Sequence, residues 1–201
     1  MAASSISKDP VARIAEAQRW ITPGAQDAAQ KTIGGTLEQI GGKALRDALH
    51  GTWLHEPLHA VLTDVPVGSW TAAVAFDAVA AISGSEGMDV AADACIGLGL
   101  LGAVGAAITG LNDWAEIKAE APRRIGAVHG LLNVAATGLF AWSLLERRRG
   151  ADGSETRKEA RGRGRAIGAL GYLVASASAH LGGNLVYEHG IGVAGKDSLF
   201  E

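Results

Sequence analysis

The chain runs to 201 residues, 48% of them apolar and 19% charged, with a formal net charge of −3. That length holds one domain and an N-terminal extension, and the single cysteine, Cys95, excludes an internal disulfide. Mean hydropathy is only +0.16 because two polar regions, 1–64 and 146–165, dilute four apolar runs.

Residues 1–56 form an amphipathic surface segment in this reading. Asp9-Pro10 supplies an N-cap and a first helical residue. Val11, Ile14 and Ala15 follow at helical spacing, and Thr22-Pro23-Gly24 closes the stretch. A second stretch puts Ile33, Leu37, Ile40, Ala44 and Ala48 on one face, weakened by Gly34-Gly35 and Gly41-Gly42. Such helices lie on a membrane surface or cap a bundle; a disordered tail is the alternative. Residues 1–30 contain no apolar core, so no cleavable signal peptide is expected and insertion rests on the first spanning helix.

The charge-free runs are Val65–Phe76, resuming after Asp77 as Ala78–Ser85, then Ala94–Asn112, Ile125–Leu145 and Ala166–Tyr187. The last three come close to the about 20 residues a helix needs to cross the hydrocarbon. They predict an all-α integral membrane four-helix bundle over 57–193, with helices near 58–83, 92–112, 125–145 and 166–188 and a tail at 194–201. Pro66 falls inside the first helix and is expected to kink or reset it. Small residues recur every fourth position in Gly102-Ala106-Gly110 and Gly171-Ala175-Ala179-Gly183, which lets helices approach closely in lipid. A soluble bundle would instead show a polar face at every turn, and Ala166–Tyr187 offers only Ser, His, Asn and Tyr.

Arg147, Arg148, Arg149, Arg157, Lys158, Arg161, Arg163 and Arg165 flank the connection between the third and fourth helices. Lys118, Arg123, Arg124 and Lys196 lie on the other side. This excess favours a cytoplasmic 3–4 loop, with both termini and the 2–3 loop outside. It accounts for the basic cluster without a nucleic-acid partner, and the lipid bilayer is the expected one.

Helix alternation gathers one polar set at a single face. It comprises His55, Glu56 and His59, then Asp113 and Trp114, then His129 with Asn133, and finally His180, Asn184, Tyr187, Glu188 and His189. At 1.5 Å per residue, His129 lies roughly 6 Å inside its helix end and His180 roughly 10 Å. Three kinds of site are compatible with this set. Paired histidines from facing helices could hold haem b between small residues, as four-helix bundles build cofactor sites. The rim could take a transition metal through imidazole and carboxylate. Or the groups are polar bundle contacts and interfacial anchors.

His55-Glu56-Pro57-Leu58-His59 fits the zinc-peptidase pattern H-E-x-x-H, which needs both imidazoles on one continuous helix face. Pro57 disfavours helical geometry at Glu56, so a peptidase is not expected. Asp77 is the one clear charge within a span, either a proton carrier or the partner of a basic residue such as Arg165.

Several pieces between Leu49 and Val193 carry a resemblance. They are His50-Gly51-Thr52-Trp53-Leu54, Pro57-Leu58-His59, Thr63-Asp64-Val65-Pro66-Val67-Gly68-Ser69-Trp70, Gly110-Leu111-Asn112-Asp113-Trp114 and His129 with Asn133. The last is Gly182-Gly183-Asn184-Leu185-Val186-Tyr187-Glu188-His189-Gly190-Ile191-Gly192-Val193. In these pieces the chain resembles a family of bacterial four-helix membrane proteins, domain of unknown function 2231. The resemblance implies an integral membrane protein of four helices. Some members look like fusions with a Rieske iron–sulfur domain, which implies redox work beside the membrane. The family often reads G-H-P-L-H where this chain has His55-Glu56-Pro57-Leu58-His59, and often has His where Asn184 stands; His55 and His180 are the nearby substitutes.

The expectation is therefore an electron-transfer module with no catalytic residue assigned. His59, His129, His180 and His189 would be axial ligands for haem b near the outer face, with Asp113 and Asn133 orienting imidazoles. A separate Rieske or cytochrome-type protein would be the electron partner. A transition-metal site on the same four histidines, and a non-catalytic membrane scaffold for partner proteins, are the alternatives.

Overall fold

The computed structural model describes residues 9–149 and 157–192. Their regular structure is helical throughout: α1 (Pro10–Glu16), α2 (Pro23–Ile40), α3 (Gly42–His50), α4 (Leu58–Ser83), α5 (Glu86–Glu116), α6 (Glu120–Arg149) and α7 (Arg157–Tyr187). The four long helices pack as a bundle, with the three short ones N-terminal to them. Two compact units share these helices. One takes the chain up to His59, Ala107–Leu131 and the chain from Ala177; the other takes Ala60–Ala106 and Leu132–Ser176.

The short helices start where the side chains can cap them. Asp9 Oδ1 accepts from the backbone N–H of Val11 (2.7 Å) and Ala12 (3.0 Å), with Pro10 first in α1. Thr22 caps α2 through Ala25 N at 3.2 Å, so Thr22-Pro23 opens a helix as well as closing the preceding stretch. α2 runs straight through Gly34-Gly35 and ends at Gly41. The break falls at Gly41-Gly42, where Gly42 takes a φ of 57° that a side chain would disfavour.

α4 continues unbroken through Pro66. α5, α6 and α7 extend past their charge-free runs at both ends or at their N-terminal end, because their charged terminal turns remain helical and find partners on neighbouring helices. α4, α5 and α6 are long and apolar enough to cross a membrane. α7 matches α5 at 31 residues, but its first turns carry Arg157, Lys158, Arg161, Arg163 and Arg165 and its remainder is rich in small residues.

The long helices expose many large apolar side chains and bury several small and polar ones beside an apolar core. Ile82 is 89% exposed, Leu101 73%, Val134 69% and Leu173 66%, whereas Asn112, Ser143 and Ser178 are buried. In water such an outer surface would be a severe aggregation liability; against lipid tails it carries no penalty, and small inward residues let the helices close on one another.

In the second unit, Trp70 stacks on Phe140 with ring centroids 4.2 Å apart, packed with Ala73, Ile96 and Ala136. Gly102 meets α4 so closely that a Cβ would lie 2.6 Å from Val65 Cγ1. The same unit contains a dense ion cluster. Arg147 donates to Asp77 through Nη1 (2.7 Å) and Nη2 (2.5 Å) and lies 3.3 Å from Asp93 Oδ1. Arg161 reaches Asp93 at 2.8 Å and Arg165 reaches Asp89 at 2.7 Å. Asp77 is thus paired, and chiefly with Arg147; Arg165 stands at 3.8 Å. Arg147 can turn inward because Gly164 leaves room for its stem: a Cβ there would sit 2.5 Å from Arg147 Cγ.

Candidate functional site

The first unit holds all six histidines, and they fall into distinct environments. His59, in the first turn of α4, lies beside His129 of α6 with ring centroids 6.4 Å apart and planes at 89°. Thr109 Oγ1 of α5 is 3.5 Å from His59 Nδ1. His129 is held more firmly. Its Nδ1 is 2.8 Å from the Ser178 carbonyl and 3.0 Å from the Ser178 hydroxyl, and that hydroxyl donates to the His129 carbonyl at 3.0 Å. A carbonyl can only accept, so neutral His129 carries its proton on Nδ1 and its lone pair on Nε2.

Glycines bring both rings close to neighbouring helices. A Cβ at Gly110 of α5 would lie 2.7 Å from His59 Cε1, and one at Gly182 of α7 would lie 3.1 Å from His129 Cε1. At Gly110 a side chain would force the ring or the helix to shift, and at Gly182 the ring would have to give by a few tenths of an ångström. The small-residue positions at Gly110 and near the end of α7 therefore make room for imidazoles as well as for backbone.

The other expected site residues are placed elsewhere. His180 is exposed, and its Nε2 meets Asp9 Oδ2 at 2.5 Å. Helical phase explains this. Ser178 and Gly182, four residues apart, both face His129, and His180 lies midway between them, about 200° around the helix from Ser178. His189 follows the end of α7, and its buried Nε2 meets no hydrogen-bond partner among the described residues. Asn133 sits one turn after His129 and its carbonyl accepts from Thr137 Oγ1 at 2.8 Å. His55 has a φ of 60° and precedes α4, so His55 and His59 do not share a helix.

Asp113 turns to a histidine outside the expected ligand set. Its Oδ1 is 2.7 Å from His50 Nδ1, and Glu116 Oε1 is 3.2 Å from His50 Nε2. The Asp113 hydrogen bond, with Glu116 adding to it, raises the His50 pKa above its ordinary value against the opposing effect of burial. The three-residue spacing of Asp113 and Glu116 puts both carboxylates on one face of α5, and that was the sequence signal for a cationic partner. Nothing local pointed to His50 as that partner.

Among the described residues no three His, Cys, Asp or Glu side chains converge as metal donors. The site is a pair of imidazoles, with one ring nitrogen fixed and the glycines of adjacent helices against them.

No curated protein and no solved structure matches the chain significantly. The family described as predicted membrane protein (DUF2231) matches residues 55–195, well over half the chain. That stretch contains α4 to α7 and with them His59, His129, Ser178 and the glycines that border the pair. With an outer surface suited to lipid and several helices able to cross it, this multi-pass membrane protein belongs to the DUF2231 family.

Proposed function

We propose that the protein is an electron-transfer module in which His59 and His129 would hold a haem b. The adjacency of these two rings, 6.4 Å between centroids on α4 and α6, carries the proposal. A bare transition-metal ion of the zinc type asks for three or four protein donors. Haem iron, already held in its macrocycle, takes only axial side chains, so a set of two imidazoles suits haem and falls short for a bare ion.

The bound group would supply reversible one-electron chemistry. The chain's contribution is to hold and orient the donors. Ser178 fixes the His129 proton on Nδ1, which puts the lone pair on Nε2; Thr109 stands beside His59 Nδ1; Gly110 and Gly182 admit both rings. Of the four histidines expected from the sequence, the proposal keeps His59 and His129 and leaves His180 to its contact with Asp9. In this proposal α7 crosses the bacterial inner membrane as a fourth span, the α6–α7 connection is cytoplasmic, and a Rieske or cytochrome-type protein exchanges electrons at the outer face.

The test is a reduced-minus-oxidised spectrum of the protein purified in detergent from a haem-replete host. Soret and α-band features are expected in the wild type and absent in His59→Ala and His129→Ala. A flat wild-type trace overturns the proposal.

A scaffold role has its own support. His180 joins α7 to the N-cap residue of α1, and His50 joins α3 to α5, which is how histidines act when they only fasten helices. In that case every histidine variant loses stability alone, and none loses a chromophore.

A further inference from the structure

We propose that a cavity of about 650 Å³ lined by α3, the α5–α6 connection and the start of α6 binds a phosphate-bearing ligand at the membrane surface. This site is separate from the His59–His129 pair and does not depend on haem. Lys43, Arg46, Lys118 and Arg123 line it, with Asp47 and Glu116 as its carboxylates.

Those two carboxylates are already engaged. Asp47 takes Lys43 at 2.5 Å, and Glu116 lies 3.2 Å from His50 Nε2. Arg46 and Arg123 pair outward with Glu38 and Asp27, which are 60% and 65% exposed. Such solvent-open pairs are held weakly, so both guanidinium groups can exchange their partners for another anion. Lys118 forms no ion pair with any described residue, and the buried Arg123 Nε meets no acceptor among them. The wall therefore offers two arginines whose ion-pair partners are exposed, one lysine outside any ion pair with a described residue, and an unmet donor. Guanidinium groups suit phosphate oxygens in geometry as well as charge.

Depth fits a phosphate too. Glu116 and Glu120 end and begin two helices able to cross a membrane, and they flank the connection. Trp20 and Trp53 of the same unit are 67% and 64% exposed, as befits aromatic rings at headgroup level. The phosphate could belong to a phospholipid headgroup or to a soluble ion.

Full-length protein in detergent separates these sources. Native mass spectrometry would compare retention of phosphatidylglycerol and phosphatidylcholine, and thermal unfolding would be followed with added inorganic phosphate. Arg46→Gln with Lys118→Gln should weaken phosphatidylglycerol binding about twenty-fivefold, about fivefold for each cation removed. Preferential phosphatidylglycerol retention lost in the variant supports the headgroup. A phosphate-induced rise in unfolding temperature lost in the variant, without lipid preference, supports the soluble ion. Equal lipid retention and equal phosphate response in both proteins overturn the proposal. Lys118→Gln alone, at an exposed position, gives the same comparison should the double variant misfold.

Discussion

Arg147 grips Asp77 with both terminal nitrogens, at 2.7 and 2.5 Å, and neither side chain is more than 10% exposed. The pair ties α4 to α6 within the ion cluster that Asp93, Arg161, Asp89 and Arg165 complete. Two charges taken from water are tolerable there only together, because each supplies the counter-field the other has lost with its hydration.

Breaking the pair from one side should therefore be worse than removing it. Asp77→Asn or Arg147→Ala should destabilise the protein by about 3–5 kcal/mol, and Asp77→Leu with Arg147→Leu together by less than the sum of the two single losses. Arg147→Ala should be the worse single change, since Arg147 also reaches Asp93 and donates from Nε to Ser143 Oγ at 3.2 Å. Unfolding in detergent measures all three. Wild-type stability in either single variant would contradict the role assigned to the pair.

The glycines beside the imidazoles should be unequal. Gly110→Ala places a methyl 2.7 Å from His59 Cε1 and should lose about 1–3 kcal/mol by overpacking. Gly182→Ala, at 3.1 Å from His129, should lose less. Gly130 has open space around its Cβ direction, so Gly130→Ala should be neutral or gain up to about 1 kcal/mol from helix propensity. Thermal midpoints of the three variants, ranked against wild type, decide this.

The histidines should also separate in the spectrum. If His59 and His129 hold haem, His180→Ala should keep the wild-type reduced-minus-oxidised spectrum, because that ring meets Asp9. Replacement of His59 or His129 should abolish it. Loss of signal in His180→Ala, with the other two unaffected, would place the donors elsewhere.

His50 should leave a signature in pH. Its folded pKa is raised, first by the Asp113 hydrogen bond and then by Glu116, above the ordinary value of about 6.5. The folded state therefore binds the proton more tightly than the unfolded chain does. The stability this supplies is complete below about pH 6.5 and is lost as pH rises through the folded value. His50→Gln should flatten that part of the stability profile. Detergent-phase thermal unfolding from about pH 5.5 to 8.5, with matching slopes in wild type and variant, would refute it.

Helix identity was legible from local residues because its causes are local. Asp9-Pro10 and Thr22-Pro23 start α1 and α2 through contacts within one turn, and the apolar runs mark the long helices of the bundle. Gly34-Gly35 misled, since two glycines lower helix propensity without removing the hydrogen bonds of α2 on either side. The reach of α5 to α7 was also hidden. Asp89 lies outside the expected 92–112 span yet within α5, where Arg165, 76 positions later, meets it.

The sequence by itself determined that this chain is an all-α membrane protein, since hydrocarbon length and unbroken apolarity are properties of consecutive residues. It also placed the histidines near helix ends. Only the tertiary structure decided which of them meet. Rotation about each helix axis turns His129 toward Ser178 and His59 and sends His180 to Asp9. Gly110 and Gly182 of neighbouring helices leave the space that the His59 and His129 rings occupy, a fit among helices that no single stretch of sequence contains.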